Sequence, residues 1–240
     1  MSKFKDIQGL IFDYGATIDS NGKHWAEVLW DAYQSVGVPV SKQAFRDAYV
    51  YGERYLALHP VVTPEFTFLD VLLAKTRLQI TWLIENGHLT EGKTSEYAVA
   101  VSNECYTFAQ STIEKAKPIL KQLSEKYQMV LVSNFYGNIE TVLTDFGLAD
   151  FFEEIVESAV VGVRKPDPAI FALGVKALEF SAENIVVVGD SHKKDIAPAQ
   201  SLGCKTIWIK GPAWEEECAD LSADAVIYDF SELKDIFQLD

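Results

Sequence analysis

Residues 185–195 read IVVVGDSHKKD, and they indicate the class of fold more clearly than any other segment. The stretch begins with four consecutive β-branched residues, a run that is typical of a central parallel strand buried on both faces. Gly189 and Asp190 follow the run directly, and Asp195 lies five residues beyond Asp190. Ligands of an open parallel sheet bind beyond the carboxyl ends of its strands. The stretch therefore predicts two carboxylates at the edge where a ligand would bind.

Five further apolar runs predict additional strands. Helical stripes separate the later runs, and the stripe over 169–178 begins after Pro168, where a missing N–H costs nothing. Regular alternation of strand and helix predicts an α/β fold with a parallel sheet and right-handed crossovers. The five runs occupy residues 7–12, 129–132, 155–156, 206–209 and 225–227.

A long helical stretch interrupts this alternation after the first strand. Apolar residues recur at helical spacing from about residue 25 to residue 112, with no strand pattern between them. We therefore predict a core domain built from residues 1–19 and 112–240, and an inserted all-α domain over 20–111. Breaks containing glycine or proline divide the insertion at residues 37–39, 59–64 and 86–92.

Composition narrows the classes of partner. The 240 residues include 35 Asp and Glu against 21 Lys and Arg, so the formal net charge is −14. Nucleic acids and anionic membranes are bound by basic surfaces, so we expect neither as a partner. A small phosphorylated metabolite stays compatible with the acidity, because it needs only a local positive site such as a metal ion and a lysine.

Cysteine usage and the N-terminus bear on the compartment. Cys105, Cys204 and Cys218 are odd in number and form no CxxC pair, which favours reduced thiols over zinc ligands or disulfides. The first ten residues contain no apolar signal-peptide segment, and no run of apolar residues is long enough to span a bilayer. We therefore expect a cytoplasmic protein.

Residues suited to phosphoryl transfer follow the predicted strands or lie between them. A carboxylate can attack phosphorus and form an aspartyl phosphate, and a second carboxylate can help to hold Mg²⁺. A lysine offsets the negative charge, and a serine hydroxyl donates to a phosphate oxygen. The residues concerned are Asp13, Ser133, Asn134, Asp190 and Asp195, together with Lys165 in the segment GVRKPDP at 162–168.

Each of these residues also has a purely structural explanation. An aspartate or a Ser-Asn pair after a strand is often a helix N-cap. Lys165-Pro166 could form a solvated turn, and Gly189-Asp190 an ordinary strand-to-helix turn. Their joint occurrence in this order, each at the expected edge, favours a functional site over four unrelated turns.

In this combination the sequence resembles the haloacid dehalogenase-like (HAD) hydrolase superfamily over its whole length. Residues 13–17, DYGAT, are similar to the family's first motif, Asp-x-Asp-x-Thr. Ser133, Lys165 and residues 189–195 match its second, third and fourth motifs. The resemblance implies a Rossmann-like three-layer sandwich with a helical C1-type cap, which closes over the site and selects the substrate.

The resemblance also implies roles for individual residues, with Mg²⁺ as the cofactor. The implied catalytic residues are the nucleophile Asp13, with Ser133 and Lys165 to hold the phosphoryl group. The implied metal ligands are Asp13, the Gly15 carbonyl, Asp190 and Asp195. The implied substrate contacts are Thr17, Asn134 and Arg164, the last of which could also be a surface charge. His24 and Trp25 are candidate cap residues, with a satisfied polar turn and a core aromatic as the alternatives.

Gly15 departs from the family pattern. In phosphatases of the family this position carries an aspartate, which protonates the leaving alkoxide and later activates water. Such general acid–base catalysis is typically worth about 10²–10⁴-fold. Glycine cannot perform it, although its main-chain carbonyl remains available to a metal.

Three alternatives follow from this departure. The first is a phosphatase that uses another acid or a substrate with a good leaving group. The second is different chemistry in the same family. One form of it is phosphonate cleavage through a Schiff-base lysine. Another is dehalogenation, which Asp190 disfavours because the family's dehalogenating members do not keep the Gly-Asp pair of the fourth motif. The third is a phospholigand-binding protein without turnover. The lysines available for a Schiff base are Lys23, Lys42, Lys75 and Lys93.

Overall fold

A computed structural model describes residues 4–212 and 222–240 of the chain. Within them lies one six-stranded sheet, in which every neighbouring pair of strands is parallel. The strand order is 3-2-1-4-5-6, the order of a doubly wound Rossmann-type sheet. The strands are β1 (Gly9–Phe12), β2 (Gln128–Ser133), β3 (Glu154–Glu157), β4 (Ile185–Gly189), β5 (Lys205–Ile209) and β6 (Ala225–Ile227).

Strand β1 lies at the centre of the sheet between β2 and β4. Ile11 of β1 pairs with Val130 of β2 on one side and with Val187 of β4 on the other. Successive side chains of a strand point to opposite faces, so each strand contributes to two cores. Leu10 and Phe12 belong to one apolar cluster, whereas Ile11 belongs to the other. This confirms the predicted α/β fold with helices on both faces of a parallel sheet.

Four helices lie between β1 and β2, and we call them the insertion. They end or begin close to the breaks that the sequence predicts. The first ends at Gly37 in the left-handed region, with φ of 75°. The third begins with a capping box between Thr67 and Asp70, which satisfies its first free N–H groups. The four helices are α1 (Trp25–Val36), α2 (Lys42–Leu58), α3 (Phe68–Glu85) and α4 (Thr94–Ser124).

Helix α4 is 31 residues long and continues past residue 112, the predicted boundary between insertion and core. The sequence Ser111-Thr112 does not break it. Both hydroxyls donate to the Phe108 carbonyl, at 2.8 and 3.0 Å, so they turn back onto their own helix. The division into residues 1–19 and 112–240 against 20–111 stays a prediction.

The remaining helices connect the later strands. Helix α7 covers the stretch 169–178 that the sequence predicts, and it packs on the second apolar cluster through Ile170 and Phe171. These helices are α5 (Ile139–Asp145), α6 (Ser158–Val161), α7 (Ala169–Leu178), α8 (Ala197–Ser201) and α9 (Leu233–Phe237). A single π-helical turn, His192–Ile196, precedes α8. No helix among the described residues combines the length and apolarity needed to cross a bilayer.

Candidate active site

A cavity of about 830 Å³ lies between the carboxyl end of the sheet and the insertion. On the sheet side it is lined by groups that follow β1, β2 and β4, because parallel strands end at one edge. On the other side it is lined by residues of α1, α2 and α3. The predicted residues that line it are Asp13, Gly15, Ser133, Asn134, Lys165, Asp190 and Asp195, with His24 and Trp25.

Lys165 is the buried cation of this site. Its Nζ lies 2.6 Å from Asp13 Oδ1 and 2.7 Å from Asp195 Oδ1, and its side chain is almost fully buried. Burial alone would lower the pKa of Lys165, but the attraction of Asp13 and Asp195 outweighs it and raises that pKa above its usual value. The ammonium group therefore stays charged between the two carboxylates.

Three carboxylates converge beside this lysine. One oxygen each from Asp13, Asp190 and Asp195 can be chosen so that all lie within 4.8 Å of one another. If all three carboxylates were ionised, they would outweigh the charge of Lys165 by two negative charges. Burial, followed by repulsion from Asp195 and Asp13, raises the pKa of Asp190 well above its usual value.

This donor set fits Mg²⁺. The ion prefers carboxylate oxygens, and its two positive charges would offset the negative charge of ionised carboxylates. The carboxylate of Asp195 is already engaged, because it accepts from Lys165 and, at 3.0 Å, from the Ser191 N–H. Among residues 4–212 and 222–240, no side chain donates a hydrogen bond to the Asp190 carboxylate. Asp13 also contacts Lys165 through Oδ1, but among the described residues its Oδ2 has only the 3.5 Å contact with the Thr17 hydroxyl. Asp13 Oδ2 and the Asp190 carboxylate are therefore the less engaged oxygens.

Gly189 has a steric reason to precede Asp190. A Cβ at this position would lie 2.5 Å from Cβ and 2.6 Å from Cγ of Asp195. Such contacts are far below van der Waals distance, so any larger residue would displace the Asp195 carboxylate from Lys165. Close packing against Asp195 thus explains why glycine precedes Asp190 in the predicted fourth motif.

The loop after β1 is tightly wound. The N–H groups of Thr17 and Ile18 both donate to the Tyr14 carbonyl. Ala16 has a φ of 64°, a strained value for a residue with a side chain. Its N–H donates to Asp19 Oδ1 at 2.7 Å. That N–H belongs to the same peptide group as the Gly15 carbonyl, so Asp19 fixes the orientation of the carbonyl.

Asp19 is a buried carboxyl group of the cavity that the sequence analysis missed as a site residue. Its second oxygen accepts from the Trp25 indole N–H at 2.8 Å. Burial is the largest influence on Asp19 and raises its pKa to about 7. The signal that could have found it is a second aspartate six residues after Asp13, within the same post-strand loop.

Gly15 faces open space. A Cβ built there meets no atom within 4 Å, and its φ lies outside the left-handed region. Neither packing nor backbone geometry therefore requires glycine at this position. The absent side chain leaves room inside the cavity, beside Asp13.

Ser133 and Asn134 end β2 as predicted. Ser133 is buried at the cavity wall. The Asn134 side-chain amide makes two hydrogen bonds to the Lys165 backbone, accepting from its N–H at 2.9 Å and donating to its carbonyl at 3.1 Å. Because both ends of the amide are engaged, this side chain positions Lys165, and its predicted contact with substrate stays a prediction.

Thr17 and Arg164 do not line the cavity. Thr17 is fully buried, and its hydroxyl is 3.5 Å from Asp13 Oδ2, at the long limit of a hydrogen bond. Arg164 is exposed, although its neighbour Lys165 is buried. The structure thus brings Arg164 to the surface rather than to the site, in agreement with the alternative of a surface charge.

His24 and Trp25 have structural partners and also line the cavity, so their predicted role in the cap stays a prediction. His24 caps α1, because its Nδ1 accepts from the Ala26 N–H at 3.2 Å, and burial lowers its pKa to about 4. Trp25 packs against Phe68 with ring centroids 5.3 Å apart.

Three further groups that line the cavity were not predicted to act together. Lys75 Nζ lies 2.7 Å from Glu53 Oε1, and the Tyr136 hydroxyl donates to Glu53 Oε2 at 2.9 Å. They come from α3, α2 and the loop after β2, respectively. No sequence pattern connects them, because the hydrogen-bonded pair is 83 residues apart.

The described cysteines lie outside this chemistry. Cys105 and Cys204 are free and buried, as expected of reduced thiols. Burial raises the pKa of Cys105 to about 12 and that of Cys204 to about 11. The prediction for Cys218 falls outside the described residues.

Comparison with protein families identifies the class. The model for haloacid dehalogenase-like hydrolases matches residues 7–203, which is most of the chain. The chain therefore belongs to the haloacid dehalogenase-like hydrolases and is a hydrolase.

Sequence relatives are named as phosphatases. A glyceraldehyde 3-phosphate phosphatase of Pyrococcus furiosus is 30% identical over 144 residues, or 58% of this chain and 60% of that protein. That match spans less than two thirds of the length of the Pyrococcus protein. A phosphoglycolate phosphatase of Yersinia pseudotuberculosis is 24% identical over 97% of this chain and 94% of its own.

Solved structures share the fold. YfnB, a HAD-hydrolase of Bacillus subtilis bound to magnesium, has a TM-score of 0.62 at 21% identity and covers 98% of this chain and 100% of its own. The L-2-haloacid dehalogenase RSc1362 has a TM-score of 0.60 at 21% identity, with the same coverage. At this identity the likeness concerns architecture alone.

Proposed function

We propose that this hydrolase is a Mg²⁺-dependent phosphatase that acts on small phosphate monoesters through an aspartyl phosphate on Asp13. The convergence of Asp13, Asp190 and Asp195 around the buried Lys165 carries this proposal. Three carboxylates that converge beside one lysine are suited to a divalent cation and, through it, to a phosphoryl group.

The reaction proceeds in two displacements. An Asp13 carboxylate oxygen forms a bond to phosphorus while the bond from phosphorus to the ester oxygen breaks, and the departing alkoxide takes a proton from solvent water. Water then attacks phosphorus and gives a proton to solvent while the bond to Asp13 breaks, so that phosphate is released and the Asp13 carboxylate is restored. Lys165 and the Ser133 hydroxyl hold the phosphoryl oxygens throughout.

Asp13, the Gly15 carbonyl and Asp190 would hold Mg²⁺, which would supply charge neutralisation for the phosphoryl oxygens. Asp195 acts mainly by placing Lys165 and the Ser191 backbone. The loop geometry supports a role for Gly15 through its carbonyl, because Asp19 orients the peptide group that contains it.

Gly15 makes the leaving group important. With no side chain at this position, the departing alkoxide receives no proton from residue 15. When the alcohol of an ester has a low pKa, its anion can leave without that proton. Such esters should therefore react faster than simple alkyl phosphates. The proposal is therefore a phosphatase whose rate depends strongly on the leaving group.

Phosphate release from 4-nitrophenyl phosphate, with Mg²⁺ or with EDTA, tests the proposal. We expect turnover that requires Mg²⁺ and that Asp13→Asn abolishes. Asp150→Asn is the matched control, because Asp150 is an exposed aspartate outside the cavity. Turnover that survives in Asp13→Asn would contradict the mechanism. Absence of turnover with this ester would favour the phospholigand-binding alternative.

Two other chemistries of the family are less well supported. Schiff-base chemistry needs a neutral lysine, and Lys75 is the member of the four candidates that lines the cavity. Burial would lower the pKa of Lys75, but Glu53 outweighs it and raises that pKa well above its usual value. Dehalogenation of a 2-haloacid would bring a further carboxylate into a site where three carboxylates already converge.

A further inference from the structure

Glu53, Lys75 and Tyr136 form a polar cluster that lines the same cavity as the carboxylates, and the proposed mechanism does not use it. Lys75 is only 7% exposed, although it is charged. Its Nζ is 2.7 Å from Glu53 Oε1 and lies 5.6 Å from the centroid of the Tyr136 ring. Buried ion pairs are weak contributors to stability, so a pair that faces a cavity calls for another explanation.

The cluster joins parts of the chain that form the two sides of the cavity. Glu53 belongs to α2 and Lys75 to α3, so both come from the insertion. Tyr136 comes from the loop after β2, three residues beyond Ser133. The cluster lines the same cavity as Ser133 and Lys165, so it is available to the remaining atoms of a molecule whose phosphate those two residues hold.

The cluster is electrically neutral overall. Burial would raise the pKa of Glu53, but Lys75 outweighs it and lowers that pKa, so both partners are charged and cancel. His24 beside them is uncharged at neutral pH, because burial lowers its pKa to about 4. A carboxylate of the substrate would be repelled by Glu53, and an ammonium group of the substrate would be repelled by Lys75.

Hydroxyl groups suit such a neutral pair. A hydroxyl donates to a carboxylate oxygen and accepts from an ammonium group, so adjacent hydroxyls can use Glu53 and Lys75 together. The rings of Trp25, Tyr49 and Tyr136 line the same cavity and offer apolar faces to C–H groups. The volume of about 830 Å³ exceeds what a two-carbon phosphate ester needs.

We infer that Glu53, Lys75 and Tyr136 form a subsite for an uncharged polyhydroxyl group, so that the substrates of this phosphatase are sugar or polyol phosphates. The inference rests on the proposed function and specifies its substrate class. Lys193, Lys194 and Lys210 also line the cavity, but they come from loops after β4 and β5 on the core side. A carboxylate-bearing substrate would use them instead, which makes it the informative comparison.

The first test compares kcat/KM for hexose and glycerol phosphates with that for phosphoglycolate and O-phosphoserine, and with that for 4-nitrophenyl phosphate. We expect the wild-type protein to prefer the hydroxylated esters over the two charged ones. Lys75→Met and Glu53→Gln should each reduce kcat/KM for the hydroxylated esters by roughly 10- to 100-fold, as expected for a lost charged hydrogen bond. Hydrolysis of 4-nitrophenyl phosphate should change by roughly threefold or less, because that ester makes no such bonds.

A second ion pair in the insertion provides the matched control. Lys42 Nζ lies 3.0 Å from Glu27 Oε2 and 5.9 Å from the Trp30 ring centroid, but both charges lie outside the cavity. Lys42→Met should leave all rates unchanged. The double variant Glu53→Gln/Lys75→Met removes both charges together, so it avoids an unpaired buried charge and keeps the test valid if a single variant fails to fold.

Binding separates this inference from the proposed function. Calorimetric titration of a hexose phosphate into Asp13→Asn needs no turnover, and adding Lys75→Met should weaken its binding by the same factor. Preference for phosphoglycolate or O-phosphoserine would overturn the inference, as would equal losses on 4-nitrophenyl phosphate. If hydrolysis does not depend on Asp13 but binding still depends on Lys75, the proposed phosphatase activity is contradicted and the subsite is not.

Discussion

Replacement of Gly15 by aspartate should increase activity. A Cβ at Gly15 meets no atom within 4 Å, and its backbone is outside the left-handed region, so the carboxyl group enters open space without strain. The loop that carries it is already fixed by the hydrogen bond from the Ala16 N–H to Asp19. The substitution therefore adds a proton donor beside Asp13 with little change to its surroundings.

The gain can be bounded from both directions. General acid–base catalysis contributes about 10²–10⁴-fold, equivalent to about 3–5 kcal/mol of activation free energy. A fourth carboxylate also repels the three that converge beside Lys165, which opposes metal-free folding and makes Mg²⁺ more necessary. We therefore expect the lower end of the range, about 10²-fold, at saturating Mg²⁺.

The assay is kcat/KM for an alkyl phosphate and for 4-nitrophenyl phosphate, because this parameter reports the first displacement. Gly15→Asp should raise kcat/KM for the alkyl ester and leave that for the nitrophenyl ester nearly unchanged, since nitrophenolate needs no proton. Gly15→Asn has the same shape without an acidic proton and is the control. Equal rates for Gly15→Asp and Gly15→Asn would show that the introduced aspartate does not donate a proton to the leaving group.

Three further outcomes follow from the geometry. Gly189→Ala places a Cβ 2.5 Å from that of Asp195, so urea denaturation should show a loss of about 1–3 kcal/mol, and phosphate release should fall. Mg²⁺ at about 100 times its Kd should stabilise the wild-type protein by about 2.7 kcal/mol in a calorimetric melt, and Asp190→Asn should remove that gain. Burial raises the pKa of Asp19 from 3.8 to about 7, so the folded protein keeps a proton that the unfolded chain loses between these values. The wild-type protein should therefore lose up to about 4 kcal/mol relative to Asp19→Asn as the pH rises across that interval, whereas constant relative stability would show that Asp19 is ionised throughout.

Local patterns were sufficient to predict the sheet and the position of the site. The run 185–188 is β-branched without interruption because β4 is buried on both faces. The parallel arrangement then brings the groups after β1, β2 and β4 to one edge. Asp13 and Asp190 could therefore be placed together from the sequence, although they are 177 positions apart.

Contacts between distant segments were not predictable in the same way. The pairing of Glu53 with Lys75 depends on how α2 packs on α3, and the bond from Tyr136 depends on how the insertion meets the sheet. Arg164 illustrates a limit of sequence adjacency, because its position next to Lys165 suggested a shared site as one of two alternatives. The two side chains differ in burial, since Arg164 is exposed and Lys165 is enclosed.

The continuity of α4 constrains how the cavity can open. At about 1.5 Å per residue, its 31 residues form a rod of roughly 46 Å that belongs to the insertion at one end and to the sheet layer at the other. The second connection, from β1 to α1, is a loop. Because one connection is a continuous helix and the other is a loop, we expect the insertion to tilt about α4 rather than to separate from the sheet. Pro118, which interrupts the hydrogen-bond ladder of α4, is the point at which that helix bends most easily.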